Sequence, residues 1–304
     1  MIKRNIQRFL TSIQFFTRIP IHSKTELSNE EFGKSLQFAP LTGLIIGVLL
    51  ALSDFLLRLV LPALPAAVLT LLFYVGITGG LHLDGLGDSF DGLLSGRSRE
   101  RMLEIMKDSR VGSFGVLAVW FALAINTASI LSLSGFISPI SFYVPPIHQL
   151  LFDQIYFLSI NKALVRGLSS ISLESIGISS TDVVRFAALC VWPVIGRLAS
   201  VSGASLFAYV RPEGGLGKSF VEYCGKKELA IAITFTSAIS FVLLGLSGFI
   251  WVIICFPAIL IFLKMLTKPL KGITGDIMGA ACEITQVFAL LLWMVLQRFV
   301  FGQV

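Results

Sequence analysis

The sequence contains little charge for its length. Asp, Glu, Lys and Arg make up 14% of the 304 residues, whereas an ordinary soluble domain is about a quarter charged. No charged residue occurs between Val111 and Phe152 or between Leu229 and Leu263. Each of these intervals exceeds the roughly 20 apolar residues that one helical span requires. The lack of charge therefore excludes a soluble globular enzyme and predicts an all-α, polytopic bundle of membrane helices.

Several other signatures are also missing. The four cysteines have no C-x-x-C spacing, which gives little support to a zinc site or a disulfide framework. No repeat, low-complexity stretch or boundary between soluble domains is visible, so residues 1–304 are treated as one membrane domain. Residues 1–36 carry basic residues but no small-residue cleavage site after a compact apolar core, and we expect them to remain as an amphipathic segment at the inner membrane surface.

The apolar runs predict about seven transmembrane helices. Basic residues cluster in 97–110, 211–227 and 264–271, and the preference of Lys and Arg for the cytoplasm places these three loops on one side. The interval 140–182 is ambiguous, because prolines and charged residues interrupt it. The predicted spans are roughly Phe38–Val60, Ala66–Gly80, Ser113–Gly135, Val183–Tyr209, two short spans within Leu229–Leu263, and Ala280–Leu296.

The net charge of +6 fits basic inner loops and the anionic headgroups of a lipid bilayer. It indicates no particular partner by itself, and we expect none among nucleic acids.

Three carboxylates occur close together in "LHLDGLGDSFDGLL". On a helix, Asp84, Asp88 and Asp91 fall at i, i+4 and i+7, which is one face. Like charges stacked in this way are tolerable when a hard divalent cation lies among the oxygens, and Mg²⁺ typically takes one or two carboxylates together with water and substrate phosphate. Residues 81–112 are therefore the candidate catalytic loop and helix. The alternative is a solvated acidic loop.

Cations follow the acidic face. In "RSRERMLEIMKDSRVGSFG", Lys107, Asp108 and Arg110 lie just before a glycine-containing turn, and a metal site beside Arg and Lys is suited to a pyrophosphate. A second candidate is the glycine-rich loop between Arg211 and Lys218, which does not match the Walker pattern. The alternatives are an inner-leaflet anchor for the arginines of 97–101 and an ordinary connection for the second loop.

Polar residues also occur inside the apolar segments. Asp276 and Glu283 either add a second set of metal ligands or pair with Arg197 or Arg211. His82 lies beside the acids, where it is either a general base or a hydrogen-bonded structural histidine. Asp54 and Arg58, at i and i+4, are expected to form an internal ion pair.

Taken together, these motifs resemble one family, adenosylcobinamide-GDP ribazoletransferase, also called cobalamin 5′-phosphate synthase. They occur in the family's order and cover nearly the whole chain, although Gly87 stands where the family usually has alanine. The matching motifs are "FFTRIP" in Phe15–Pro20, "GGLHLDGLGDSFDGLLSGRSRERMLEIMKDSRVGSFG" in Gly79–Gly115, "GRLA" and "YVRPEGGLG" within Gly196–Gly217, and "GITGDIMGAACEITQ" in Gly272–Gln286.

The resemblance implies a magnesium-dependent reaction in which α-ribazole or its 5′-phosphate displaces GMP from adenosylcobinamide-GDP. The ribazole 5′-hydroxyl would attack the phosphorus that stays with cobinamide. By analogy, the proton would pass to a carboxylate such as Asp91 or to His82. The implied metal ligands are Asp84, Asp88, Asp91 and Asp108, and the implied phosphate contacts are Lys107, Arg110, Arg211 and Lys218.

The resemblance also implies a multi-pass protein of the bacterial cytoplasmic membrane, with the active-site loops on the cytoplasmic side. It leaves open a homo-oligomer or an association with other enzymes of cobalamin assembly.

Two other functions compete with this one. Asp88, Asp91 and Gly92 echo the opening of the D-x-x-D-G motif of CDP-alcohol phosphotransferases that act on lipids, but the continuation of that motif fails. A cation transporter would use the acids to line a pathway. A loop rich in arginine is poorly suited to such a path.

Overall fold

A computed structural model describes residues 2–21, 28–133, 180–211 and 213–299. This part of the chain consists of eleven α-helices, a short 3₁₀ turn at Leu36–Phe38 and one isolated bridge between Tyr209 and Ile273, which confirms the all-α prediction. The helices are α1 (Ile2–Phe16), α2 (Asn29–Ser35), α3 (Ala39–Arg58), α4 (Ala63–Thr78), α5 (Leu81–Leu93), α6 (Arg99–Ile105), α7 (Ser113–Ser132), α8 (Ser180–Leu206), α9 (Leu216–Tyr223), α10 (Lys226–Thr267) and α11 (Gly275–Phe299).

Five of the described helical segments are long and apolar enough to cross a membrane, and a sixth span arises if α4 and α5, which meet at 90°, count as one broken span. The chain is therefore a polytopic membrane protein. The five segments are Asn29–Arg58, Ser113–Ser132, Thr181–Leu206, Lys226–Thr267 and Gly275–Arg298.

Helix α10 reverses direction near its middle. Gly245 has φ 62° and ψ −145°, which is not helical, and a Cβ added at Gly248 would overlap the carbonyl oxygen of Ser240. In a continuous helix, two residues eight positions apart are separated by about 12 Å along the axis, so this approach requires two arms that fold back on each other. The arms agree with the two short spans predicted within 229–263. The predicted ambiguity of 140–182 lies mostly outside the described residues.

Helix α8 is the central helix of the bundle, since 83% of its apolar window is buried, compared with 28% for α7. It packs closely on α3, because Gly43 and Gly47 lack side chains. A Cβ at Gly43 would lie 2.8 Å from the carbonyl oxygen of Pro193, and a Cβ at Gly47 would overlap that of Cys190. Small residues four apart let two membrane helices approach at backbone distance.

The charges inside the bundle are paired between helices. Asp54 on α3 accepts two hydrogen bonds of 2.6 Å from Arg185 on α8, and both side chains are 3% exposed. Arg58 pairs with Asp182, also on α8, at 3.3 Å. The expected ion pair between Asp54 and Arg58 is therefore wrong. Each residue has a partner on the neighbouring helix instead, because α3 and α8 lie side by side.

The three basic loops meet at one end of the bundle. The Arg99 side chain donates to the carbonyl oxygen of Leu270 at 2.7 Å, Lys107 forms an ion pair with Glu213, and Arg211 reaches the carbonyl oxygen of Met106 at 3.5 Å. These contacts join residues 97–110 to 211–227 and 264–271, so the prediction that the three loops share one side is confirmed.

The amino-terminal segment forms a helix that packs on this bundle. Arg8 of α1 donates to both carboxylate oxygens of Glu31 in α2, at 2.6 and 3.0 Å. The hydroxyls of Ser12 and Thr42 are 2.9 Å apart, which fixes α1 against α3.

Candidate functional site

The acidic residues lie on α5, which begins at a sharp turn. α4 ends at Thr78, and Gly79 and Gly80 then take φ values of 65° and 67°. Only glycine adopts this left-handed conformation at no steric cost, so the two glycines turn the chain by 90° into α5. The turn places Asp84 in the first helical turn of α5, with its backbone N–H bonded to Gly80 at 2.8 Å.

A cavity of about 530 Å³ opens beside the start of α5. Asp84 is exposed, and Asp88, one turn later, is half-buried. Within the described residues, neither carboxylate has an ion pair or a side-chain hydrogen bond. The cavity is lined by Arg18, Gly79, Gly80, Leu81, Leu83, Asp84, Gly87, Asp88, Val111 and Val119.

Asp91 lies on the same face but has other partners. Its two carboxylate oxygens accept the backbone N–H groups of Gly112, at 2.7 Å, and Gly115, at 2.8 Å. A Cβ at either glycine would overlap this carboxylate, which explains the glycines of "VGSFG". Asp91 thus caps the amino-terminal end of α7 and joins it to α5, and it is not among the residues that line the cavity.

A fourth carboxylate approaches α5 from α11. A Cβ at Gly85 would lie 2.9 Å from the carbonyl oxygen of Asp276, so glycine is required for this contact. Asp88 is consequently in the electrostatic field of Asp84, Asp91 and Asp276, which the positive charge of Arg211 partly offsets. Such a concentration of negative charge favours the binding of a cation.

Most of the cations that the sequence predicts as phosphate contacts form ion pairs in the structure. Lys107 pairs with Glu213, and Arg211 pairs with Asp276, which realises one of the two alternatives for Asp276. Lys218 is exposed on α9 and has no ion pair within the described residues.

Arg110 is paired as well, and its partner is the predicted metal ligand Asp108, at 2.7 Å. These bonds lower the pKa of Asp108 to about 2, so the carboxylate is charged at neutral pH. The pair lies at the surface next to Val111 of the cavity wall, and neither of its side chains lines the cavity.

His82 lies on the buried side of α5. Its ring contacts that of Phe16, with centroids 5.5 Å apart, and its Cα lies 3.3 Å from a Cβ built on Gly279. Its Nδ1 has no hydrogen-bond partner within the described residues, and it does not line the cavity. This position favours a structural role for His82 over that of a general base, but the described residues do not supply the hydrogen bond to Nδ1 that the structural alternative expected.

Beyond His82 is a buried polar network between α4, α8 and α11. Tyr74 donates to Glu283 at 2.6 Å, and Arg197 donates to the Tyr74 hydroxyl at 3.2 Å. Glu283 is therefore connected to Arg197 through Tyr74. Ligand atoms of His82, Cys282 and Glu283 lie within 4.8 Å of one another, but an Arg197 nitrogen 3.8 Å from the Cys282 sulfur disfavours a cation there.

Arg18 lies inside the "FFTRIP" motif, but no role could be predicted for it from the sequence. Its backbone N–H donates to Ile77 at 2.7 Å, and its guanidinium rests on Gly79, where a Cβ would overlap Nε. An arginine that follows an amphipathic helix gives no signal of a site, because the cavity exists only once α1 has packed beside the turn between α4 and α5.

Comparison with known proteins agrees with this geometry. The family model described as cobalamin-5-phosphate synthase matches residues 8–153 and 157–294. The chain belongs to the cobalamin-5-phosphate synthase family. This match covers α5, the three basic loops and the segment that carries Arg18.

Three relatives in this family are named adenosylcobinamide-GDP ribazoletransferase. The protein of Clostridium acetobutylicum is 38% identical over 94% of this chain and 94% of its own. The protein of Acetivibrio thermocellus is 35% identical over 95% of this chain and 97% of its own. That of Alkaliphilus oremlandii is 32% identical over 94% of this chain and 96% of its own. No solved structure matches the chain.

Proposed function

We propose that this protein is an adenosylcobinamide-GDP ribazoletransferase, which joins adenosylcobinamide-GDP to α-ribazole or its 5′-phosphate and releases GMP. The observation that carries the proposal is the cavity that Asp84, Asp88 and Arg18 line together. Within the described residues, none of these three side chains forms an ion pair. Carboxylates for a metal and an arginine for phosphate oxygens are the groups that transfer of a substituted phosphate requires. The names of the relatives supply the substrates.

We propose Mg²⁺ as the cofactor, and the residues present fit this ion. Asp84 and Asp88 offer hard oxygen donors one helical turn apart and form no ion pair within the described residues, which suits a site of one or two carboxylates plus water and phosphate. Bound Mg²⁺ would neutralise negative charge on the phosphate oxygens. Asp91 and Asp108 are less suited, because backbone amides hold the first and Arg110 holds the second.

The chain's own residues then orient the reactants. The reaction forms one bond between a ribazole hydroxyl oxygen and the phosphorus that stays with cobinamide, and it breaks the bond from that phosphorus to GMP. The hydroxyl proton passes to whichever cavity carboxylate, Asp84 or Asp88, is not occupied with the metal. Asp91 remains the residue that positions α7 beside this cavity.

The family's name bears on the hydroxyl that attacks. A cobalamin 5-phosphate carries a phosphate on the 5 position, so that oxygen cannot also have formed the new bond. The expected attack by the 5′-hydroxyl is therefore replaced by attack from another hydroxyl of the ribose.

The active cavity is proposed to open on the cytoplasmic side of a bacterial inner membrane. Val111 of the cavity wall directly follows the basic loop 97–110, and the three basic loops share this end of the bundle. Because loops rich in Lys and Arg prefer the cytoplasm, we propose that the cavity and the loops lie on that side together.

The test is GMP release by the purified protein in detergent, with adenosylcobinamide-GDP, α-ribazole and Mg²⁺. We expect GMP to appear, to stop on addition of EDTA and to require the ribazole. Parallel samples contain a CDP-alcohol and a second alcohol in place of adenosylcobinamide-GDP and α-ribazole. CMP release there, without GMP release from the corrinoid, would establish the phosphotransferase alternative. Ion flux in vesicles without either nucleotide product would establish the transporter.

A further inference from the structure

We propose that Arg18 binds the diphosphate of the nucleotide-activated substrate, opposite Asp84 and Asp88. The inference rests on the proposed function and adds to it a substrate-binding residue from the amino-terminal segment. Arg18 lines the same cavity as the two carboxylates, yet no nitrogen of its guanidinium lies within ion-pair distance of either. A ligand between these walls would meet an arginine fork on one side and carboxylates on the other.

The availability of the charge distinguishes Arg18 from three of the four cations that the sequence predicts as phosphate contacts. Lys107, Arg110 and Arg211 each form an ion pair with a carboxylate of this chain. Within the described residues, the Arg18 side chain has neither an ion pair nor a side-chain hydrogen bond. A guanidinium without an internal partner can give both of its parallel N–H groups to a phosphate.

The backbone around Arg18 is held firmly enough to position a ligand. The Thr17 hydroxyl donates to Ile13 at 2.7 Å, and the N–H of Ile19 donates to that hydroxyl at 3.2 Å. The N–H of Arg18 itself donates to Ile77 at 2.7 Å, which ties the end of α1 to the end of α4. The backbone that carries Arg18 is thus fixed at the turn where α5 begins.

Charge balance gives a further reason for an arginine at this place. A diphosphate brought to a wall of aspartates is repelled unless positive charge accompanies it. A divalent ion held by Asp84 and Asp88 would supply part of that charge, and Arg18 would supply the rest. The two walls would then contact different oxygens of the same diphosphate.

The experiment compares Arg18→Gln and Arg18→Lys with the control Arg97→Gln, which removes an exposed arginine outside the cavity lining. Steady-state GMP release is measured against each substrate separately, together with inhibition by inorganic pyrophosphate. For Arg18→Gln we expect KM for adenosylcobinamide-GDP and the inhibition constant of pyrophosphate to rise about tenfold or more, as for loss of a charge-assisted bidentate contact. KM for α-ribazole should stay unchanged.

Arg18→Lys should fall between the wild type and Arg18→Gln, because it keeps the charge and loses the fork. Arg97→Gln should match the wild type. Unchanged affinity for adenosylcobinamide-GDP and pyrophosphate in a folded Arg18→Gln variant would overturn the proposal. An equal rise in KM for adenosylcobinamide-GDP and for α-ribazole in Arg18→Lys would overturn it too. If the wild type releases no GMP, the proposed function fails, and calorimetry of pyrophosphate binding with Mg²⁺ to wild type and Arg18→Gln still decides the role of Arg18.

Discussion

At the scale of single residues, Asp84, Asp88 and Asp91 have the same helical spacing but different hydrogen-bond partners, and the partners indicate different roles. All three lie on one face of α5, and Asp84 and Asp88 line the cavity without a partner in the described chain. Asp91 accepts two backbone N–H groups at the start of α7. Asp91 therefore acts mainly by positioning α7, whereas Asp84 and Asp88 are available to bind a ligand.

Replacement of Asp91 should accordingly destabilise the protein. In Asp91→Asn the amide NH₂ faces a backbone N–H in place of an acceptor oxygen, and loss of a helix-capping bond costs about 1–2 kcal/mol. We expect a fall of a few degrees in the thermal unfolding midpoint in detergent. Asp84→Asn, which removes no internal bond, is the control and should keep the wild-type midpoint. Equal midpoints for both variants would contradict the capping role.

The side-chain contacts that could not be predicted from the sequence have a common physical cause. The spacing of the aspartates placed them on one helix face, because that depends on local geometry alone. The partner of Asp54 lies on a distant segment, at Arg185. The pairing of Arg211 with Asp276 could be named only as one of two alternatives, because both contacts form only when the helices pack. No role could be predicted for Arg18 for the same reason, since the residues that line the cavity with it come from distant segments, at 79–88, 111 and 119.

At the scale of helices, glycines decide how closely segments approach. The two short spans within 229–263 could be predicted from the length of the apolar run, whereas the reversal at Gly245 gives no composition signal. The contact of α3 with α8 had an unused signal, the G-x-x-x-G spacing of Gly43 and Gly47 inside an apolar segment. The spacing indicates a contact face on α3, but the helix that this face contacts is decided only by tertiary packing.

A pair of glycine substitutions tests this packing. Gly47→Ala should lower the free energy of unfolding by about 1–3 kcal/mol, because the new Cβ would overlap the carbonyl oxygen of Cys190. Gly76→Ala on α4 is the matched control, since its Cβ meets nothing within 4 Å and alanine is the better helix former by about 1 kcal/mol. Thermal unfolding in detergent measures both. A Gly47→Ala variant as stable as Gly76→Ala would contradict the close approach of α3 and α8.

At the scale of the whole molecule, the basic loops define one end of the bundle, and the cavity opens beside them. The turn at 59–62 between α3 and α4 lies at the other end, since α4 runs from it toward the cavity. All four cysteines are buried, so an introduced cysteine can be labelled over a low background.

This arrangement predicts the sidedness of labelling in membranes. Arg101→Cys and Lys268→Cys should react with a membrane-impermeant maleimide in inverted vesicles and stay unlabelled in intact cells. Val60→Cys, whose native side chain is 77% exposed, should show the reverse. Labelling of Arg101→Cys and Lys268→Cys from opposite sides would contradict the contacts that join their loops.

The most direct test of the account is GMP release from adenosylcobinamide-GDP by Asp84→Asn and Asp88→Asn. Each variant is compared with Glu222→Gln, which removes an exposed acid outside the cavity lining. We expect both aspartate variants to lose at least roughly 100-fold in rate, the scale on which removal of one charge-stabilising group slows an enzyme, with an unfolding midpoint equal to that of the wild type. Folded Asp84→Asn and Asp88→Asn variants that still release GMP at the wild-type rate would contradict the placement of the reaction in this cavity.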